Sequence, residues 1–169
     1  TSAGRASHKA KILIATVAGD VLDIGKNIVS VVVGSNDYLI NDLGVMVEGE
    51  RIVDTAVEWG EDAIGLSALI TPSLEEMAKV VQELERRGLK IPVLLGGATT
   101  STVHTAVKIA PLYSAPVIQA RDASDNVVIL SRLFGDAQKE YIERIAAEQE
   151  SLRNTYMAAR ENKNARNLS

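Results

Sequence analysis

Five short runs dominated by Val, Ile and Leu recur along the chain: "KILIATV" (11–17), "YLINDLG" (38–44), "DAIGLSAL" (62–69), "IPVLLGG" (91–97) and "APVIQA" (115–120). Each is separated from the next by a longer amphipathic stretch. Near-continuous apolar runs of this length describe strands buried on both faces, and that requires a parallel sheet with helices above and below it. Right-handed crossovers with no long irregular insert then favour a flavodoxin-like, doubly wound five-stranded sheet of order 2-1-3-4-5.

The stretches between strands carry a 3.6-residue apolar period. One helix places Ile24, Ile28, Val31 and Val32 on a single face, the next Ile52, Val53, Ala56 and Val57, the third Leu74, Met77, Val81 and Leu84. Ser73 with Glu76 reads as a capping box behind Pro72, and Gly60 and Gly88 are natural helix stops. From about Asp136 the chain has neither glycine nor proline and reads as one long helix. Its narrow stripe of Ile142, Ile145, Leu152 and Tyr156 would suffice for packing on the domain or on a neighbour, but its charge favours a solvated extension leading into a linker. The expected division is an N-terminal linker at 1–10, an α/β domain at 11–135 and a helical extension or linker at 136–169, within the 169 residues that one domain and some extra length would occupy.

No apolar run approaches a membrane span, and "TSAGRASHKA" lacks the apolar core of a signal peptide. A net charge of −4 with scattered basic residues and only 4% aromatics gives neither the basic stripe nor the stacking platform of a nucleic-acid binder. The absence of cysteine excludes disulfides and thiolate metal sites and fits a cytoplasmic, reducing location.

In this fold the ligand lies beyond the carboxyl ends of the strands, near the switch point between strands 1 and 3. The loops there are "AGDVLDIG", "SALITPS" and "GGATTS". The first is unusual in setting Leu22 between Asp20 and Asp23 at a strand-to-helix turn, where small or polar residues are the norm. Gly96 and Gly97, followed by Thr99, Thr100 and Ser101, suit both a close ligand approach and a plain capped turn. Capping accounts for Thr71 and Ser73 but not for Ser67. A magnesium pocket built on Asp20 and Asp23 would need a further acid at the end of strand 3 or 4, and none is there. His8 in the N-terminal tail and His104 in the fourth helix have no partners for a triad or a metal cluster, so no self-sufficient catalytic site emerges.

"GDVLDIGKNIV", "DLGVMV", "IGLSALITPSLEEM" and "LLGGATTSTVHTAVKIA" follow one another in an order and spacing that resembles the cobalamin-binding domain of cobalamin-dependent methionine synthase, over about Lys11 to Leu133. The resemblance implies a carrier of cobalamin, as methylcobalamin, that passes a methyl group from methyltetrahydrofolate to homocysteine and is not catalytic alone. It implies partners outside this chain: a helical cap and the homocysteine, folate and reactivation domains. In that family the first loop reads Asp-x-His-x-x-Gly, and its histidine ligates cobalt in place of the cofactor's own base, whose nucleotide tail enters a slot beside the sheet. Here the histidine position is Leu22, which has no lone pair for a metal. Cobalamin is therefore expected base-off and without histidine ligation, with no metal ligand from the protein. By the same resemblance Asp20 would be the partner of the missing ligand, Gly25 the residue making room for the tail and Ser73 the end of a proton relay. Gly19, Val21, Leu22 and Asp23 complete the cofactor loop, and Ser67, Thr71, Gly96, Gly97 and Ala123 match cofactor contacts. The alternative is a flavodoxin-like interaction or regulatory domain that binds no corrinoid.

Overall fold

The computed structural model describes residues 10–17, 30–36, 38–67, 73–96 and 104–168. Strands β1 (Lys11–Val17), β2 (Leu39–Val47), β3 (Ala63–Ser67), β4 (Val93–Gly96) and β5 (Val117–Gln119) form one parallel sheet in the order β2-β1-β3-β4-β5. The expected flavodoxin-like α/β fold and its strand order are thus present. Helical residues 30–34 are the described part of α1, followed by α2 (Gly49–Trp59), α3 (Ser73–Arg86), α4 (104–112), α5 (Ala123–Leu133) and α6 (Gln138–Leu168).

Period-2 alternation divides the sheet into two cores. Leu13, Ala15, Val17, Ile64, Leu66, Val93, Leu95 and Val117 pack with Ile52, Val53 and Ala56 of α2 and Met77, Val80, Val81 and Leu84 of α3. Ile12, Ile14, Ala63, Leu94 and Ile118 face the other way, against Val33 of α1, Ile129, Leu130 and Leu133 of α5 and Tyr141 of α6. Gly60 (φ 64°) and Gly88 (φ 71°) end α2 and α3 in the left-handed region, as their positions suggested. Two expected core residues are instead outside it: Val31 is 68% exposed and Val57 is 51% exposed. In the run Val31-Val32-Val33 hydropathy cannot choose a face, and the residue that packs is Val33. Ile24 and Ile28 lie outside the described residues. In α2 the inward arc closes with Ala56, leaving Val57 on its outer edge.

β2 runs three residues past its expected end because it is irregular. Ala15 pairs with Gly44 and Val17 with Val47, with shifts of register between. Gly44 (φ 94°) and Met46 (φ 54°) take left-handed backbone there, and the Gly44 N–H donates to the Asp42 carboxylate at 2.8 Å.

α6 docks by its N-terminal half. Tyr141 is buried, Ile142 and Ile145 pack against the second core, and Leu152 and Tyr156 are half-buried, so the apolar stripe does face the domain. Gln149 Nε2 donates to the Val117 carbonyl of edge strand β5 at 2.5 Å. Arg153 Nη1 donates to the Ala106 carbonyl at 2.9 Å, within a π-helical turn of α4 (Thr105–Ile109).

Candidate functional site

At the carboxyl end of the sheet the register sets Thr16 of β1 beside Ser67 of β3, and Ser67 beside Gly96 of β4. Paired residues of parallel strands point to one face, and alternation assigns this row to the α1/α5 face. One step below it is the row Ile14, Gly65, Leu94, Ile118. On this face β3 therefore contributes only Ala63, Gly65 and Ser67, the smallest side chains available, while β1 contributes Ile12, Ile14 and Thr16. The result is a trough over a central strand. Ala63 closes its lower end at 0% exposure. Gly65 is partly exposed although a strand lies on either side of it, and a Cβ on Gly96 would meet nothing within 4 Å.

The trough is polar only at its mouth. Thr16 is fully buried and its Oγ1 has no hydrogen-bond partner. The Ser30 Oγ of α1 is likewise buried without one. Ser30 precedes the sheet-facing Val33 by three residues and so shares its helix face, one turn nearer the carboxyl ends of the strands, since the crossover helix runs against them. The paired residues of β1, β3 and β4 on this face include no charged side chain.

Of the residues singled out in the sequence, Ser67 and Gly96 are brought together as strand neighbours. Ser73 begins α3 and Ala123 begins α5, each following the carboxyl end of a strand; their side chains lie outside the description. Asp122 caps α5, accepting the Asp125 N–H at 2.8 Å, and Asp125 accepts the Arg121 N–H at 3.0 Å. Gly19, Asp20, Val21, Leu22, Asp23, Gly25, Thr71, Gly97 and His8 lie outside the described residues. Glu76, the expected capping partner of Ser73, is ion-paired with Lys79 at 2.9 Å. His104 is held below the usual imidazole range by burial and by Lys108. Sequence reading missed Thr16, Ser30 and Gly65. The signals were a hydroxyl inside an otherwise apolar buried run and a glycine in mid-strand, which marks close approach of another group.

Elsewhere, a cavity of about 320 Å³ between β5, α5 and α6 is lined by Gln119, Arg121, Asp125, Tyr141 and Glu148 among others, at the β5 edge of the sheet. Among the described residues no cluster of three His, Asp or Glu side chains could hold a metal ion, and no helix is long and apolar enough to cross a membrane.

A doubly wound parallel sheet with a row of small side chains at its switch point defines an α/β domain of the flavodoxin-like class. The chain belongs to the B12-binding domain family, whose model matches residues 10–128. Among solved structures it is similar to a cobalamin-binding protein from Desulfitobacterium hafniense DCB-2, with 33% identity and a TM-score of 0.66 over 75% of this chain and 60% of that one. It is similar also to the monomethylamine corrinoid protein of Methanosarcina barkeri, with 25% identity and a TM-score of 0.67 over 75% of this chain and 58% of that one. The fold of the methanol:cobalamin methyltransferase complex MtaBC from Methanosarcina barkeri matches with a TM-score of 0.70 at 24% identity, over 82% of this chain and 52% of that one. The chain thus spans between 52% and 60% of these proteins' length.

Proposed function

We propose that this chain is the cobalamin-binding carrier module of a corrinoid-dependent methyltransferase, of the methionine synthase type. The observation that carries the reading is the coincidence of the B12-binding family match with a trough at the switch point, walled by Ile14 and floored by Gly65. A slot with an apolar body and hydroxyls at its mouth suits the heteroaromatic end of a nucleotide tail. When bound, the cofactor supplies a cobalt centre that accepts and passes on a methyl group. The chain's part is to bind and orient. Ser67 and Gly96 would line the mouth of the slot, with Gly97 next in sequence, Thr71 four residues after Ser67 and Ala123 at the start of α5, and the loop of Gly19, Asp20, Val21, Leu22, Asp23 and Gly25 would underlie the corrin. Similarity to a monomethylamine corrinoid protein supports the corrinoid-carrier reading. The cap and the substrate and reactivation domains would be supplied from outside these residues.

The test is to mix the protein with hydroxocobalamin, remove free cofactor by desalting and record the spectrum. One equivalent of retained corrinoid is expected; a colourless protein would refute the reading and leave a non-corrinoid interaction domain. The lower face is expected to lack a protein ligand because an isobutyl group cannot coordinate cobalt. The cobalt(II) form bound to this chain should show no nitrogen superhyperfine splitting in electron paramagnetic resonance, whereas Leu22→His should introduce it. Splitting in the parent protein would sink the histidine-off, base-off assignment.

A further inference from the structure

We propose that α6 is a releasable strap: docked, its Arg153 holds α4 in a π-helical state that supports the cobalamin end of the sheet, and on release α4 relaxes and that end loosens. The proposal rests on the cobalamin reading above and adds a regulatory element to it. In the π-helical turn Thr105–Ile109 the Ala110 N–H donates to the Thr105 carbonyl, five residues back. That takes the donor an ordinary helix would give to the Ala106 carbonyl, and the next one along belongs to Pro111, which has no N–H. Ala106 is fully buried, so its carbonyl cannot turn to water. Arg153 Nη1 supplies the missing donor at 2.9 Å.

Without Arg153 the smallest repair is a slip of one hydrogen bond, in which the Ala110 N–H leaves Thr105 for Ala106 and the turn becomes α-helical. The slip rotates Thr105 about the helix axis. Thr105 is buried and its Oγ1 donates to Gln119 Oε1 at 3.2 Å. Gln119 in turn ends β5 in register with Leu95, the neighbour of Gly96 at the mouth of the proposed slot. α6 is also placed to let go. Clefts of about 320 and 260 Å³ flank it at Ile145 and Gln149, a looser seat than a packed interior. Of residues 154–162 only Tyr156 is not exposed, so Arg153 stands where the helix leaves the domain, and a pull on the far half reaches it early.

The experiment uses the whole chain as parent, as Arg153→Met, which keeps the aliphatic stem and removes the donors, as Pro111→Ala, which restores an N–H five residues after Ala106, and as the double variant. In urea melts Arg153→Met should lower the folding constant about tenfold in the parent background and less than about twofold in the Pro111→Ala background, where residue 111 donates instead. Scalar couplings across hydrogen bonds, read by nuclear magnetic resonance, should find the Ala110 N–H on Thr105 in the parent and on Ala106 in Arg153→Met. Equal losses in the two backgrounds, or an Ala110 N–H that stays on Thr105 in Arg153→Met, would overturn the strap. In titrations with hydroxocobalamin Arg153→Met should bind about three- to tenfold more weakly and the double variant within about twofold of the parent. By linkage, cobalamin should slow amide exchange over residues 149–157 of the parent by roughly the same factor. Parent-like affinity in a folded Arg153→Met would overturn the link to the cofactor. Failure of the parent to bind cobalamin would overturn the function and that link together, whereas the melts and couplings of the unliganded protein judge the two states of α4 on their own.

Discussion

Filling the trough from its floor separates stability from binding. Gly65 occupies the central strand without a positive φ, and a Cβ would meet Ile14 Cγ1 at 3.6 Å and the Leu13 carbonyl at 3.9 Å, both ordinary contacts. Gly65→Ala should therefore stabilise the unliganded protein, by about 0.5–1 kcal/mol through the lost backbone entropy of glycine, or roughly 1–4 °C in melting temperature. Gly65→Leu adds three further carbons in the only direction a side chain can take, into the trough, so it should fold while closing the slot. An aromatic group the size of a lower base buries roughly 150–250 Å². At about 25 cal/mol per Å² its exclusion forfeits ~4–6 kcal/mol. Ordering and desolvation already consume part of that on binding, so the expected loss of cobalamin affinity is about a hundredfold, ~2.7 kcal/mol. Urea melts of the unliganded forms and spectroscopic titration with hydroxocobalamin measure the two quantities independently. Parent-like affinity in a folded Gly65→Leu protein would refute the slot, and stability falling in step with side-chain size from alanine onward would show that no space lies over β3.

Two further predictions concern groups away from the trough. Glu61 is buried, one carboxylate oxygen accepts from Asn41 and the other has no partner, and burial raises its pKa above the usual 4.5. The folded state thus holds this proton more tightly than the unfolded chain, so its contribution to stability is complete below about pH 4.5 and is lost as pH rises through the raised value. Melting temperatures of Glu61→Gln minus parent should accordingly climb from pH 4 to 8, and a constant difference would contradict the assignment. Arg153→Ala should cost roughly 1–2 kcal/mol in urea melts because it strips the charged donor from the Ala106 carbonyl. Met157→Ala, exposed one turn further along α6, should change nothing; equal effects of the two would mean that α6 is not latched there.

The fold was legible because its signals are redundant. Five apolar runs without strong alternation can be satisfied only by a covered parallel sheet, and β1, β3, β4 and β5 lie within those runs. The ends of β2 were not legible, since its last residues depend on a register shift and on left-handed backbone at Met46, which no propensity announces in a methionine. α1 was misread at Val31 because three successive valines carry no phase, and burial was decided by which of them met Ile12, Ile14 and Tyr38. The docking of α6 through Gln149 and Arg153 was equally hidden, because both partners are backbone carbonyls more than 30 residues away in sequence.

The candidate site was half legible for a different reason. Loop residues such as Leu22 stand out by violating the chemistry of a turn, whereas the trough is made by residues that violate the logic of a core: alanine, glycine and serine in succession on one face of the central strand. A sheet selected for stability alone would place Val or Ile at position 65 and an apolar group at position 16, filling the gap and removing an unpaired hydroxyl. Pattern, packing and polar satisfaction agree over the α2/α3 face, where every inward residue of β1, β3, β4 and β5 in the core is apolar. They disagree on the α1/α5 face only toward the carboxyl end, and a local breakdown of that kind is where a ligand is expected to complete the structure.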